Sequence, residues 1–153
     1  MPLRKYQYRR HLPHLQRDKP LFITFRTHHD WILPPPARDE VLKTCLQGNG
    51  LKFVLHAVVV MPNHVHLALT PLNDADGPFS IPEIMQAIKG GAAHRVNKIL
   101  GRKGPVWQEE SFDHVPRSVE KLESQILYII NNPVRAGLAK TSEKYPWLWY
   151  EIV

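Results

Sequence analysis

With 153 residues, 43% of them hydrophobic, the chain can bury one core but is short for two ordinary domains, so a single domain over residues 1–153 is expected. Twenty Lys and Arg against 14 Asp and Glu leave a formal charge of +6, which favours a polyanionic partner without separating nucleic acid from an anionic membrane surface. The single Cys45 excludes an internal disulfide and a thiolate zinc site, and the longest apolar run, Val54 to Met61, is interrupted by His56 and too short for a bilayer; a cytoplasmic protein with no membrane partner is expected.

Residues 1–20 form a basic arm carrying Arg4, Lys5, Arg9, Arg10, Arg17 and Lys19, interleaved with Tyr6 and Tyr8. Leu21 to Thr27 is rich in β-branched and aromatic residues and predicts the first strand. Pro34-Pro35-Pro36 leads into a helix from about Ala37 to Leu46, closed by Gly48-Asn49-Gly50. Lys52 to Met61 and His64 to Thr70 predict a hairpin turned by Pro62-Asn63, and Pro71 to Pro78 a loop.

Ser80 with Glu83 is a capping box, and Ile81, Ile84, Met85, Ile88, Ala92, Val96 and Ile99 recur at helical spacing to about Leu100. After a basic turn at Gly101 to Pro105, Val106-Trp107-Gln108 and Phe112 to Val115 predict a short strand pair. Ser118 caps a last helix expected to stop at Asn132-Pro133, and Tyr145 to Tyr150 predicts an aromatic plug packed on the core. This order predicts an α+β ferredoxin-like sandwich, an antiparallel sheet with helices packed on one face.

The segment Met61-Pro62-Asn63-His64-Val65-His66-Leu67 carries the most chemical information. Side chains alternate along a strand, so His64 and His66 share one face while Val65 enters the opposite layer. Nine histidines in the chain make one His-x-His pair unremarkable by itself. On the last helix, however, Leu122, Ile126, Ile129 and Ile130 form an apolar stripe beside a second stripe of Lys121, Gln125, Tyr128 and Asn132. Tyr128 and Asn132 lie one turn apart, so a phenol and an amide can address one volume if that helix lies against the strand of His64 and His66.

At these residues the chain resembles the single-tyrosine HUH transposases, and within them the REP-associated tyrosine transposases and their insertion-sequence relatives. The resemblance rests on Val60 to Leu67, on Val106-Trp107-Gln108 followed by Phe112-Asp113-His114, and on Tyr128 through Leu138, and it extends loosely from Phe22 to Trp147. It implies that His64 and His66 are paired metal ligands, Tyr128 the nucleophile and Asn132 a third, helix-borne ligand; Gln125, in the same helix stripe, is a supporting candidate. It further implies cleavage of single-stranded DNA beside a hairpin through a 5′-phosphotyrosine intermediate, by a monomer or a homodimer.

The chemistry is coherent. A free tyrosine has a pKa near 10, so about one in a thousand is ionised at neutral pH, and a phosphodiester repels an anionic attacker. A cation on nitrogen and oxygen donors answers both problems, and a donor set without thiolate suits Mg²⁺ or Mn²⁺. For DNA contact the candidates are Arg4, Arg9 and Arg10 in the arm, Lys89, Arg95 and Lys98 on the long helix, and Arg102 and Lys103 beyond it. Tyr6, Tyr8 or Trp107 are candidates to stack on unpaired bases.

The alternative reading is a domesticated relative that binds a DNA or RNA hairpin without cutting it. A two-histidine phosphoesterase would need a second His-x-Ser/Thr motif, which the sequence lacks. The tail Pro146-Trp147-Leu148-Trp149-Tyr150 departs from relatives, which often carry serines after the first tryptophan, and this argues against a DNA role for it.

Overall fold

The computed structural model describes residues 20–114 and 119–151. Strand β1 (Leu21–Thr27) leads through a 3₁₀ turn (His28–Asp30) into helix α1 (Pro35–Gly48), followed by β2 (Phe53–Val60), β3 (His64–Pro71) and the two-residue strands β4 (Asn73–Asp74) and β5 (Gly77–Pro78). Helix α2 (Ile81–Met85), a π-helical turn (Gln86–Gly90) and α3 (Gly91–Leu100) run on without a break into the turn before β6 (Trp107–His114). Helix α4 (Val119–Arg135), a 3₁₀ turn (Ser142–Lys144) and β7 (Leu148–Tyr150) complete the order.

The main sheet is five-stranded and antiparallel, in the order β6-β1-β3-β2-β7. Its first four positions are those of the expected ferredoxin-like sandwich, and β7 extends the sheet beyond β2. Alternation sorts the side chains. Leu21, Ile23, Phe25, Val65, Leu67 and Leu69 face a large core shared with Ala37, Val41 and Cys45 of α1 and with Ile84, Ile88, Ala92 and Val96 of the α2–α3 helix. Phe22, Ala57, Val59 and Ala68 face a smaller core under α4, closed by Ile129 and Tyr145. The two crossover helices thus cover one face as expected, and α4 adds a third layer on the other.

A bulge in β2 between Leu55 and Ala57 shifts the register by one residue, so that Leu55 opposes Leu69 while Ala57 opposes Ala68. The bulged His56 is satisfied on both nitrogens, by Glu151 Oε1 at 2.8 Å and Thr70 Oγ1 at 2.7 Å. Cys45 is buried as expected, and burial pushes its thiol up to about 12.

Five segments differ from the sequence expectation, the first being residues 71–78, expected as a loop, which carry the short antiparallel pair β4–β5. Helix α1 begins at Pro35, because prolines at the first helical positions lack only an N–H that has no intrahelical partner anyway. The capping box is formed as expected, with Glu83 N donating to Ser80 Oγ and Ser80 N to Glu83 Oε1, but the long helix is interrupted by the π turn. Over the described residues the predicted strand pair is one strand, β6, paired along β1 with an irregularity near Phe25 to Thr27; no glycine, proline, asparagine or aspartate stands between Trp107 and Phe112 to reverse it, and Val115 lies outside the described residues.

Helix α4 continues through Pro133 instead of ending before it. The hydroxyl of Ser142 donates to the Ile130 carbonyl at 2.9 Å, and the stop comes at Gly137, whose φ of 77° supports bonds from Gly137 N to Val134 O and from Leu138 N to Pro133 O. This is a Schellman ending, encoded by Gly137 and not by the proline. The aromatic tail packs as expected: Tyr145 donates to the Val60 carbonyl at 2.6 Å, and Trp147 Nε1 donates to Asp39 at 2.7 Å.

Ala57 and Ala68 present only methyl groups to the space beneath α4. An Ala68→Leu substitution should force α4 off the sheet and cost about 1–3 kcal/mol of stability in urea denaturation. An unchanged midpoint would show that the helix does not need this close approach.

Candidate active site

The antiparallel register sets Thr24 opposite His66 and Arg26 opposite His64, on the sheet face that α4 covers. The two imidazoles lie 4.8 Å apart between ring centroids. His66 is buried and stacks against Phe22 at 5.8 Å, and the ring of Tyr128 meets His66 at 5.4 Å and Phe22 at 6.2 Å, both edge-on. His64, His66 and Tyr128, from two distant segments, therefore meet in one aromatic cluster within a single chain. Phe22, Thr24, His66, Ser124, Gln125 and Tyr128 line an open cleft of about 380 Å³. Tyr128 is 39% exposed at its mouth, while Asn132, one turn further along α4, is buried.

Each imidazole is oriented by a hydrogen bond on Nδ1. His64 Nδ1 donates to Asn63 Oδ1 at 2.8 Å, and His66 Nδ1 lies 2.8 Å from Thr24 Oγ1, which can accept its proton. Both Nε2 lone pairs are then open for a cation, the arrangement that oriented metal-ligating histidines commonly show. Burial, with Arg26 adding to it, holds His64 below the usual imidazole range; burial first, then His64 and Arg26, pushes His66 down to about 4. Neutral imidazole is the ligating form.

Among the described residues no group of three His, Cys, Asp or Glu side chains is placed to hold a metal. The nitrogen donors that the fold brings side by side are the two imidazoles of His64 and His66.

Among the described residues, the expected DNA contacts of the α2–α3 helix and the turn after it stand apart from this cleft. The α2–α3 helix packs on the opposite face of the sheet. Lys89 on its π turn donates to the carbonyls of Gln108 at 2.6 Å and Glu109 at 3.2 Å, and burial lowers its pKa against an opposing effect of Glu109. Arg95 bonds Gln47, and Arg102 donates to Asn97 Oδ1 at 2.7 Å and lies 4.1 Å over the ring of Trp31. Lys98 and Lys103 are exposed. Trp107, a candidate for base stacking, is buried and donates to the Lys89 carbonyl at 3.1 Å. Arg4, Arg9 and Arg10, with Tyr6 and Tyr8, lie outside the described residues.

Five neighbours escaped sequence reasoning: Phe22, Thr24, Arg26, Asn63 and Arg135. The alternation of β1 puts residues 22, 24 and 26 on one face, but which face meets the histidines depends on strand pairing. Arg135 lies two turns beyond Tyr128, with its guanidinium carbon 4.5 Å from the centre of the Tyr128 ring.

No family model matches the chain. A putative REP-associated tyrosine transposase of Haemophilus influenzae is 26% identical over 116 residues, covering 72% of this chain. A solved REP-associated tyrosine transposase bound to a REP hairpin superposes with a TM-score of 0.65 at 21% identity, over 88% of this chain and 78% of that one. The chain is similar in sequence to one REP-associated tyrosine transposase and in fold to another.

The chain spans 64% of the length of that curated relative. A putative transposase of Deinococcus radiodurans R1 shares the fold with a TM-score of 0.50 at 21% identity, over 78% of this chain and 93% of that one. A bacterial tRNA(His) guanylyltransferase-like protein in complex with GTP reaches 0.57 at 10% identity, over 95% of this chain and 75% of that one. The sandwich thus recurs in a protein with a different name and ligand, and function has to be argued from the cleft. Among the described residues no helix is long and apolar enough to cross a membrane.

Folding holds His66 neutral where an unfolded imidazole, with its value near 6.5, would take up a proton. The stability tied to neutral His66 is complete above that value and is lost as pH falls toward about 4, because the unfolded chain is protonated first. A His66→Gln variant should show a shallower loss of melting temperature across this interval than the unmodified protein. Parallel curves would mean that His66 is not buried in its neutral form.

Proposed function

We propose that the protein is a metal-dependent single-stranded DNA endonuclease and strand transferase that acts beside DNA hairpins through a 5′-phosphotyrosine intermediate. The observation that carries this reading is the approach of Tyr128 to His66, at 5.4 Å between rings, with both Nδ1 atoms of the histidine pair already engaged. The hairpin-bound transposase of the same fold and the curated relative support the substrate class.

In this reading His64 and His66 would hold Mg²⁺ or Mn²⁺, with Asn132 as a third protein donor. The bound cation supplies charge neutralisation at the nonbridging oxygens of the scissile phosphate. Thr24 and Asn63 fix the tautomers and the ring planes. Phe22 and His66 limit the rotation of the Tyr128 ring, so its oxygen is delivered to phosphorus along one approach. The new bond joins the Tyr128 oxygen to phosphorus, and the bond from phosphorus to the 3′ oxygen breaks. The phenol proton ends on that departing oxygen. The ester keeps the energy of the broken linkage, so a DNA 3′-OH can reverse the step and rejoin strands without ATP.

The nucleophile and the histidines belong to one chain, which supports a site that works in cis whether the protein is a monomer or a homodimer. Gln125 lines the same cleft and suits contact with the DNA backbone. The basic arm and the cations of the α2–α3 layer then contribute long-range attraction to DNA.

A library of DNA hairpins with randomised single-stranded flanks, incubated with Mn²⁺, should yield a covalent adduct resistant to denaturation. Tyr128→Phe should abolish the adduct while leaving DNA affinity largely intact; an adduct that persists in this variant would remove Tyr128 from the nucleophile's role. The pair His64→Ala/His66→Ala should lose metal-dependent cleavage, and Thr24→Val should weaken Mn²⁺ affinity about 10–100-fold in calorimetric titration. Cleavage unaltered by the histidine substitutions would dismiss the metal assignment.

A further inference from the structure

We propose that Arg26 and Arg135 bracket the cleft as a two-guanidinium device for the scissile phosphate, Arg26 contacting its oxygens beside the histidine pair and Arg135 holding the Tyr128 ring in its attacking pose. This rests on the function proposed above and adds two residues to its machinery.

The two arginines stand beside this cluster on different elements, Arg26 on β1 across from His64 and Arg135 on α4 over the Tyr128 ring. Arg26 lies on β1 directly across from His64, on the face it shares with Phe22 and Thr24, where opposed side chains are about 5 Å apart at Cβ. Its side chain is 41% exposed, and its one ion pair among the described residues is a 4.0 Å approach to the exposed Asp30, at the limit of a salt bridge and worth little in water. The backbone there is unusual. His29 and Asp30 both hold positive φ, 52° and 54°, a conformation that non-glycine residues seldom keep without a reason elsewhere in the structure.

Charge sharpens the argument. A guanidinium beside two imidazoles disfavours a cation on those imidazoles unless an anion lies between the two positive groups. A phosphodiester is such an anion, and the planar fork of arginine suits two of its oxygens at once. On α4, the Arg135 guanidinium covers the Tyr128 ring at 4.5 Å while the His66 ring meets it at 5.4 Å. The ring is therefore held between a cation and an imidazole and has little freedom to leave the cleft.

The test uses hairpin oligonucleotides selected by the unmodified protein for covalent attachment in Mn²⁺, with single-turnover adduct formation and binding by fluorescence anisotropy as readouts. Arg26→Ala should slow adduct formation about 10²–10³-fold with little change in DNA affinity, as removal of a transition-state donor does. Arg26→Lys or added methylguanidinium should restore part of the rate. Arg135→Ala should also lower the rate at unchanged affinity, with partial recovery in Arg135→Lys. Adduct formation by Arg26→Ala and Arg135→Ala at the unmodified rate would overturn the bracket and leave the proposed function standing. A loss that neither lysine nor methylguanidinium repairs would assign the arginines to the fold and overturn it equally. Failure of the unmodified protein to form any adduct would remove the function and the bracket together.

Discussion

The register of β1 against β3 governs everything that happens at the cleft. Pairing Thr24 with His66 and Arg26 with His64 puts an orienting hydroxyl and a guanidinium beside the two imidazoles, and it turns all four toward the layer occupied by α4. A slip of one residue would exchange His64 and His66 for Val65 and Leu67 and bury the wrong set under the helix. That slip is blocked from the other side of the sheet, where Ile23, Phe25, Val65, Leu67 and Leu69 are committed to the large core. The hydrophobic face thus sets the geometry of the polar one.

The small core under α4 brings the second half of the site into place. Phe22, Ala57, Ala68 and Ile129 are packed together there, and the alanines let the helix approach the strands. Phe22 serves both purposes, closing the core and forming one wall of the cluster with His66 and Tyr128. Burial on this face also keeps the imidazoles neutral, so the packing that positions the donors also sets their protonation state. Thr24 and Asn63 then engage the Nδ1 atom of each ring and orient it.

The opposite layer shows why charge in a sequence is a poor guide to an interface. Lys89 and Arg102 read as solvated cations on a helix or turn, yet both are bound to carbonyl or amide oxygens, and Arg102 also covers an indole ring. Their long aliphatic stems and multiple donors make them useful fastenings between helix, turn and edge strand. Arg26, which carries no signal of its own in a strand of apolar residues, stands across from His64 instead. The sandwich is shared with a guanylyltransferase-like protein at 10% identity, so the layers themselves are indifferent to chemistry; the cleft side chains distinguish this chain.

The sequence by itself determined the α+β order, the hairpin turned at Pro62-Asn63, the capping box at Ser80, the common face of His64 and His66, and the stripe joining Tyr128 to Asn132. These are local facts, readable from periods of two and 3.6 residues and from turn chemistry. The continuation of α4 through Pro133 was also local in origin, but its signal lay in Gly137, beyond the proline that suggested a stop. Only the tertiary structure decided that α4 occupies the histidine face, that Thr24 and Arg26 stand beside the pair, that Arg135 covers Tyr128, and that Lys89 turns inward. Each of these is a meeting of segments far apart in the chain or a choice between two sides of a sheet, and such choices are made by which apolar surfaces bury each other, a quantity that no single segment contains.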